Sequence, residues 1–312
     1  MTPASGVDVI VLGDVMADTV ALLEAALVPD ADNPADFVQT LGGQAANTAA
    51  WLAAAGSRVH LVAAVGADET GTWVRQRLRE RGLPNSLATV DAPTGRCIIV
   101  TEPTGERTML PNSGANALIG RSDAGSTVAA LLEDGARHLH LSGYVPLHDP
   151  DFAVQMVQLA KGYGASTSMD TPALFAESKW VPAAVPSVDV LLGTARELAH
   201  LLQLDAATPA ALGERIADRF AGQTDRPSCV LVKAGAQGAW LISERITSVP
   251  PVAASVVDTT GAGDAFTAGF LAAWMAGQSA ETAAETASVL AARALRQRGG
   301  QPSTDEGQHG NL

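Results

Sequence analysis

In Asp258-Thr259-Thr260-Gly261-Ala262-Gly263-Asp264, three small residues stand directly before a carboxylate. A run of strong helix formers follows, Ala265-Phe266-Thr267-Ala268 onward. Residues as small as Gly261, Ala262 and Gly263 let the backbone approach a ligand closely. At a helix N-terminus their N–H groups, with the helix dipole behind them, form an anion hole. A carboxylate there can take a proton from a hydroxyl while the hole stabilises charge on a phosphoryl group in transfer. The plainer alternative is a Gly-rich loop in which Asp264 is an ordinary acidic residue of a first helical turn.

Such a loop needs a helix behind it and a sheet to carry both. The pattern predicts a strand over Val7–Leu12, ending at Gly13, and mixed short strands and loops over 14–41. A helix follows over Ala45–Ala55, ended by Gly56, then a strand over Val59–Val65 and a helix reaching Arg81. Arg75, Arg77, Arg79 and Arg81 fall on two i, i+4 pairs pointing different ways, which reads as a solvated face. Residues 95–110 read as a hairpin. Beyond it, strands at His138–Ser142, Ser166–Asp170, Val188–Leu192 and Cys229–Lys233 alternate with helices at Phe152–Lys161, Ala195–Leu204 and Ala210–Ala221. Helices from Gly263 to Met275 and from Ala280 to Arg298 close the chain, and the polar tail from Thr304 is expected to fray. Alternation of this kind predicts an α/β fold with a mostly parallel sheet covered on both faces.

The segment Asp258–Phe266 resembles the carboxy-terminal signature of the ribokinase-like (PfkB) carbohydrate kinase family. Upstream, Leu41-Gly42-Gly43-Gln44-Ala45-Ala46-Asn47 resembles the family's amino-terminal Gly-Gly-x-x-x-Asn signature. Two spaced matches in the right order, with alternating elements between them, carry the resemblance over about residues 7–303. It implies a single domain over 1–312, a doubly covered sheet, and a small β lid drawn from about 15–41 and 95–110. It also implies an ATP-dependent kinase acting on a hydroxymethyl group, with Mg2+ and, beside the anion hole, K+. On the matching positions Asp264 is the base, and Gly261, Ala262 and Gly263 are the anion hole. Asp18, Gly42, Gly43 and Asn47 are sugar contacts, with Asp14 beside them. A carboxylate or an amide suits vicinal hydroxyls, although Asp14 and Asp18 could also be turn or capping residues and Asn47 a helix cap. Lys233, Gly235 and Gly238 match the strand and turn lining the ATP site. Asp258, the Thr260 carbonyl and Ser303 match the monovalent-cation ligands.

Departures from the pattern bear on the substrate. The family's Asn-x-x-Glu near the phosphates and Mg2+ is here Thr194-Ala195-Arg196-Glu197, and in ribokinase proper Gln44, Ala45, Met16 and Ser142 would be other residues. A nucleoside (pseudouridine, adenosine or cytidine) is therefore the second substrate class, with Met16 and Tyr144 available to pack on a base. A non-catalytic sugar- or nucleotide-binding regulator on the same scaffold is the reading from another class.

The formal charge of −13 argues against nucleic acid and anionic membranes as partners. It also means that a phosphate-bearing ligand must be held by backbone donors or cations. No Walker lysine motif is present, nor Gly-x-Gly-x-x-Gly after the first strand, so P-loop and dinucleotide-binding readings lose their support. His138 and His140 share a strand face without a third ligand and read as structural, while Arg107 on the hairpin could reach a substrate or be solvated. Cys97 and Cys229, far apart and without metal spacing, suggest free thiols in a reducing compartment. With no basic segment before the short apolar run Val9–Leu12, the cytoplasm is the expected location. Partners are expected to be small molecules and, through the lid, a second copy of the chain.

Overall fold

A computed structural model describes residues 6–173 and 185–303. The tail from Thr304 lies outside them. In chain order the elements are β1 (Val9–Leu12), β2 (Met16–Leu23), β3 (Ala35–Gly42), α1 (Gln44–Ala54), β4 (Val59–Gly66), α2 (Glu69–Glu80) and β5 (Asn85–Val90). Next come β6 (Arg96–Thr101), β7 (Arg107–Asn112), α3 (Ala124–Glu133), β8 (His138–Leu141), α4 (Tyr144–His148), α5 (Pro150–Gly162) and β9 (Ser166–Asp170). The rest are β10 (Val190–Thr194), α6 (Ala195–Leu202), α7 (Pro209–Phe220), β11 (Cys229–Lys233), β12 (Ala239–Ile242), β13 (Ile246–Val249), α8 (Ala262–Met275) and α9 (Ala280–Ala294).

Nine strands form one sheet in the order β13-β12-β11-β10-β9-β8-β1-β4-β5, parallel from β11 to β5 and antiparallel at β11-β12-β13. Alternation along β1 explains the two layers of core. Val9 and Val11 enter the cluster with α1, α2, α8 and α9, while Ile10 and Leu12 enter the cluster with α3, α5, α6 and α7. Each fully buried Val, Leu or Ile here contributes about 1.5–3 kcal/mol relative to exposure. With so few aromatics, alanines do much of the filling on α1, α8 and α9.

The order has a consequence for ligands. From β1 the chain first builds outward to β4 and β5, then returns to the other side with β8, β9, β10 and β11. The crevice at the carboxyl ends of β1 and β8 is thus the topological switch point, where open α/β sheets bind ligands. Gly13 and Asp14 follow β1 and Ser142 follows β8, while Asp170, Thr194 and Lys233 end β9, β10 and β11 on the same edge of the sheet.

A second sheet, in the order β3-β2-β6-β7, is built from residues 16–42 and 96–112. The 14–41 stretch is therefore a regular hairpin of two eight-residue strands rather than short mixed pieces. Its register puts Asp18, Cys97, Ile99, Thr101 and Arg107 on one face and Phe37, Ile98 and Leu110 on the other. Cys97 and Ile99 are buried, whereas Phe37, Ile98 and Leu110 are exposed.

Candidate active site

The loop before α8 is organised by Asp258. Its Oδ1 accepts the Thr260 backbone N–H at 2.8 Å and the Thr260 hydroxyl at 2.7 Å, and its Oδ2 accepts the Gly299 N–H at 2.9 Å. Gly261, at φ 73°, turns the chain into α8 and caps it without a side-chain bond. That left-handed geometry favours glycine, and a Cβ there would also press on the Gly300 backbone. The first helical bond runs from Ala265 N–H to Gly261 at 2.8 Å. The amides of Ala262, Gly263 and Asp264 therefore have no intrahelical acceptor, and Ala262 meets the Thr259 carbonyl only at 3.4 Å. Such amides, at the positive end of a 14-residue helix, suit an anion.

Asp264 stands in this first turn. Asn47, one turn into α1, donates from Nδ2 to Asp264 Oδ2 at 2.8 Å. Part of Asp264 remains open to the site, yet its removal from water pushes the carboxyl up to about 8. The Asn47 hydrogen bond and Lys233 oppose that rise, while Asp170 and Asp14 add to it. Asn47 Oδ1 and Asp18 Oδ1 are buried acceptors without a partner in the structure. Asp18 lies close against Gly42, where a Cβ would sit 1.9 Å from its Oδ2. Burial, then the neighbouring Asp14, raises the Asp18 carboxyl to about 7. Two orphaned acceptors beside a base suit the hydroxyl donors of a polyol.

Asp14 is differently engaged. It accepts the Gln44 N–H at 2.8 Å, the Ala45 N–H at 3.3 Å and the Ser142 hydroxyl at 2.7 Å. Its carboxylate thus satisfies the start of α1 and ties it to the end of β8. Gln44 ties two strand ends together, donating to the Thr171 carbonyl at 3.1 Å and accepting the Gly143 N–H at 2.7 Å. Gly43 precedes α1 at the same corner.

At the carboxyl end of β10, Thr194 and Glu197 form a reciprocal capping box at the start of α6. Glu197 Oε2 also accepts the Thr171 hydroxyl at 2.8 Å. Gly235 and Gly238, at φ 56° and 82°, bound the turn between β11 and β12, with Gly235 exposed. Lys233 points beneath α8, where its amino group meets Asp170 at 2.7 Å, Thr267 at 2.8 Å and the Gly263 carbonyl at 3.1 Å. Ser303 is exposed, and its N–H is held by Gln297.

Two residues gain importance that sequence reading did not give them. Asp170, 1% exposed, sits at the end of β9 as Lys233's counter-ion. Its signal was a carboxylate at the carboxyl end of a predicted parallel strand. Arg107, which the sequence left open between substrate contact and solvation, is engaged within the chain. Its guanidinium crosses from β7 to Asp258 at 2.8 Å and to the hydroxyls of Thr259 and Thr260. This bears on the monovalent-cation expectation at Asp258, Thr260 and Ser303. Asp258 already carries a guanidinium and three N–H or O–H donors, so a second cation against the same carboxylate would be repelled. That residue set does not fit K+. Arg81 is exposed, as are Arg77 and Arg79, and donates to the Pro302 carbonyl at 3.1 Å. His138 and His140 are buried and bonded to Ser166 and Ser168, and among the described residues no group of three metal-ligating side chains occurs.

The model of the pfkB family carbohydrate kinases matches residues 7–306. The chain is 31% identical over 254 residues to an ATP-dependent ribose-1-phosphate kinase of Halopiger xanaduensis, covering 80% of this chain and 79% of that protein. It is 25% identical over 311 residues to a nucleoside kinase of Methanothermobacter thermautotrophicus, covering 96% and 94%. Its fold matches the structure of Arabidopsis thaliana ribokinase complexed with ribose and ATP, with a TM-score of 0.79 at 23% identity over 94% of each chain.

Proposed function

The chain belongs to the pfkB family of carbohydrate kinases, ATP-dependent phosphotransferases with an alcohol acceptor, and we propose that Asp264 is the base with which it phosphorylates a hydroxymethyl group. The observation that carries this reading is the placement of one carboxylate, steadied by Asn47, beside amides that lack helical acceptors. Asp264 takes the proton as the hydroxyl oxygen bonds to the γ-phosphorus of ATP and the bond to the β–γ bridging oxygen breaks. The amides of Gly261, Ala262, Gly263 and Asp264 meet the charge on the transferring group. Asp18 and Asn47 accept from the acceptor's other hydroxyls, with Gly42 and Gly43 giving close backbone approach. Gly235, Gly238 and the Thr194–Glu197 corner line the nucleotide side.

Mg2+ is held by one or two carboxylates together with the phosphates of its nucleotide, and the single carboxylate of Glu197 suits that arrangement. When bound, the ion would neutralise phosphate charge. The four-stranded sheet acts as the lid, and Arg107 joins it to the catalytic loop so that water is excluded during transfer. Its outer face, with Phe37, Ile98 and Leu110 exposed, is where a second copy would pair, which light scattering would reveal. No described helix is long and apolar enough to cross a membrane. Two buried free thiols and the need for ATP support a cytoplasmic site of action.

The acceptor is a sugar such as ribose or a phosphorylated ribose, or a nucleoside. The stacked rings of Tyr144 and His148, with centroids 6.5 Å apart and Asp14 close by, favour the nucleoside as second reading. Incubation with ATP, Mg2+ and a panel of pentoses, pentose phosphates and nucleosides, with products read by mass spectrometry, tests this function. A phosphomonoester from at least one class is expected; ATP consumption at background across the panel would contradict it.

A further inference from the structure

We propose that Asp170 and Lys233 are positioning residues that aim the anion-hole amides, and that Lys233 does not itself bind the nucleotide. This rests on the phosphoryl-transfer reading above. The two side chains leave the carboxyl ends of β9 and β11, on either side of β10, and meet at 2.7 Å beneath the first turn of α8. An ammonium has three donors. All three of Lys233's are used, on Asp170 Oδ1, on the Thr267 hydroxyl and on the Gly263 carbonyl. None remains for a phosphate. Asp170 is equally committed, since its Oδ2 accepts the Thr267 hydroxyl at 2.8 Å.

The contact with Gly263 is the one with chemical consequence. C=O and N–H point in opposite directions across a planar peptide. Tying the Gly263 carbonyl down toward the sheet therefore aims the Asp264 N–H away from it, out of the helix start. Thr267, one turn on, is held by the same pair, so the first turn of α8 is fastened at two points. Buried ion pairs give little net stability compared with apolar replacements, so this one is better explained by orientation than by stability. Behind it, His140 Nε2 lies 3.6 Å from Asp170, but burial holds that imidazole neutral, its pKa lowered to about 4. Lys233 is thus the cation that meets the Asp170 charge.

Three variants decide the matter: Lys233→Met, Asp170→Asn and the double variant. Each single change should lower kcat about 10- to 100-fold while leaving the dissociation constant of a non-hydrolysable ATP analogue within about twofold. The double variant should be no worse than the poorer single one, because both act through one device. Around Asp264 the charged or titratable groups are Asp14 from the end of β1, Tyr144 on α4, Asp170 and Lys233. Removing Lys233 should move the acid limb of the kcat profile to higher pH, and removing Asp170 should move it lower. A merely structural defect would not give opposite shifts. Should either single variant fail to fold, the double variant, which buries no unpaired charge, carries the test, and wild-type kcat in it would overturn the proposal. A Lys233→Met enzyme with normal kcat and analogue binding weakened tenfold or more would also overturn it and make Lys233 a nucleotide contact. Wild-type turnover is the separate control: without it the kinase reading fails, whereas with it and unaffected variants only this inference does.

Discussion

Asp264 must lose a proton before it can take one. With its carboxyl pushed up to about 8, the free enzyme holds it protonated below that pH, and kcat/KM should climb as pH rises from about 6 to 8. Asn47→Ala removes a hydrogen bond that favours the ionised form, so its limb should move to higher pH and acceptor KM should rise. A pH–rate series on both proteins checks the sign. Thr194 makes a different prediction. Its hydroxyl accepts the Glu197 N–H, and Thr194→Ala should cost about 1 kcal/mol of stability in denaturant unfolding. Sequence reading treated Thr194-x-x-Glu197 as a damaged phosphate motif, although the same four residues spell a capping box. The opposite happened at Asp170. A carboxylate at the carboxyl end of a predicted strand was a weak local signal, because its meaning depends on Lys233, 63 residues away.

Between elements, the contact from β7 to the loop before α8 carries the most weight. Arg107→Ala should weaken closure, raise acceptor KM several-fold and let water compete for ATP. A rise in phosphate release relative to phosphorylated product would measure that. Because Arg107 occupies Asp258, turnover should persist when K+ is replaced by a bulky organic cation at equal ionic strength. A requirement for K+ would contradict that assignment. Hydrophobic runs bounded by Gly or polar residues made the central strands legible, and Ser166–Asp170 and Cys229–Lys233 have the expected limits. Short edge elements did not show. β5, β12 and β13 are only partly buried or four residues long, too brief for a period to register. The hairpin β2-β3 escaped because Pro29 and Pro34 in its connection read as breaks across the whole stretch.

Over the whole molecule, the strand order decides where chemistry can occur, and that order follows from pairing across the chain rather than from any local pattern. The α/β class and its doubly covered sheet were readable from alternation, whereas the switch point between β1 and β8 was not. Global charge adds a long-range effect. At −13 the protein repels ATP, so KM for ATP should fall as ionic strength rises from roughly 20 to 200 mM at saturating Mg2+, reversing only where salt screens the local contacts. The anion hole must overcome that field with fixed dipoles, which is why the orientation of a few amides matters so much here. The most direct measurement is phosphoryl transfer by Asp264→Asn beside the wild type, on whichever acceptor the panel identifies. Loss of roughly 10²- to 10⁴-fold in kcat, with ATP-analogue binding retained, is the predicted result. Transfer within a few-fold of wild type would contradict Asp264 as the base.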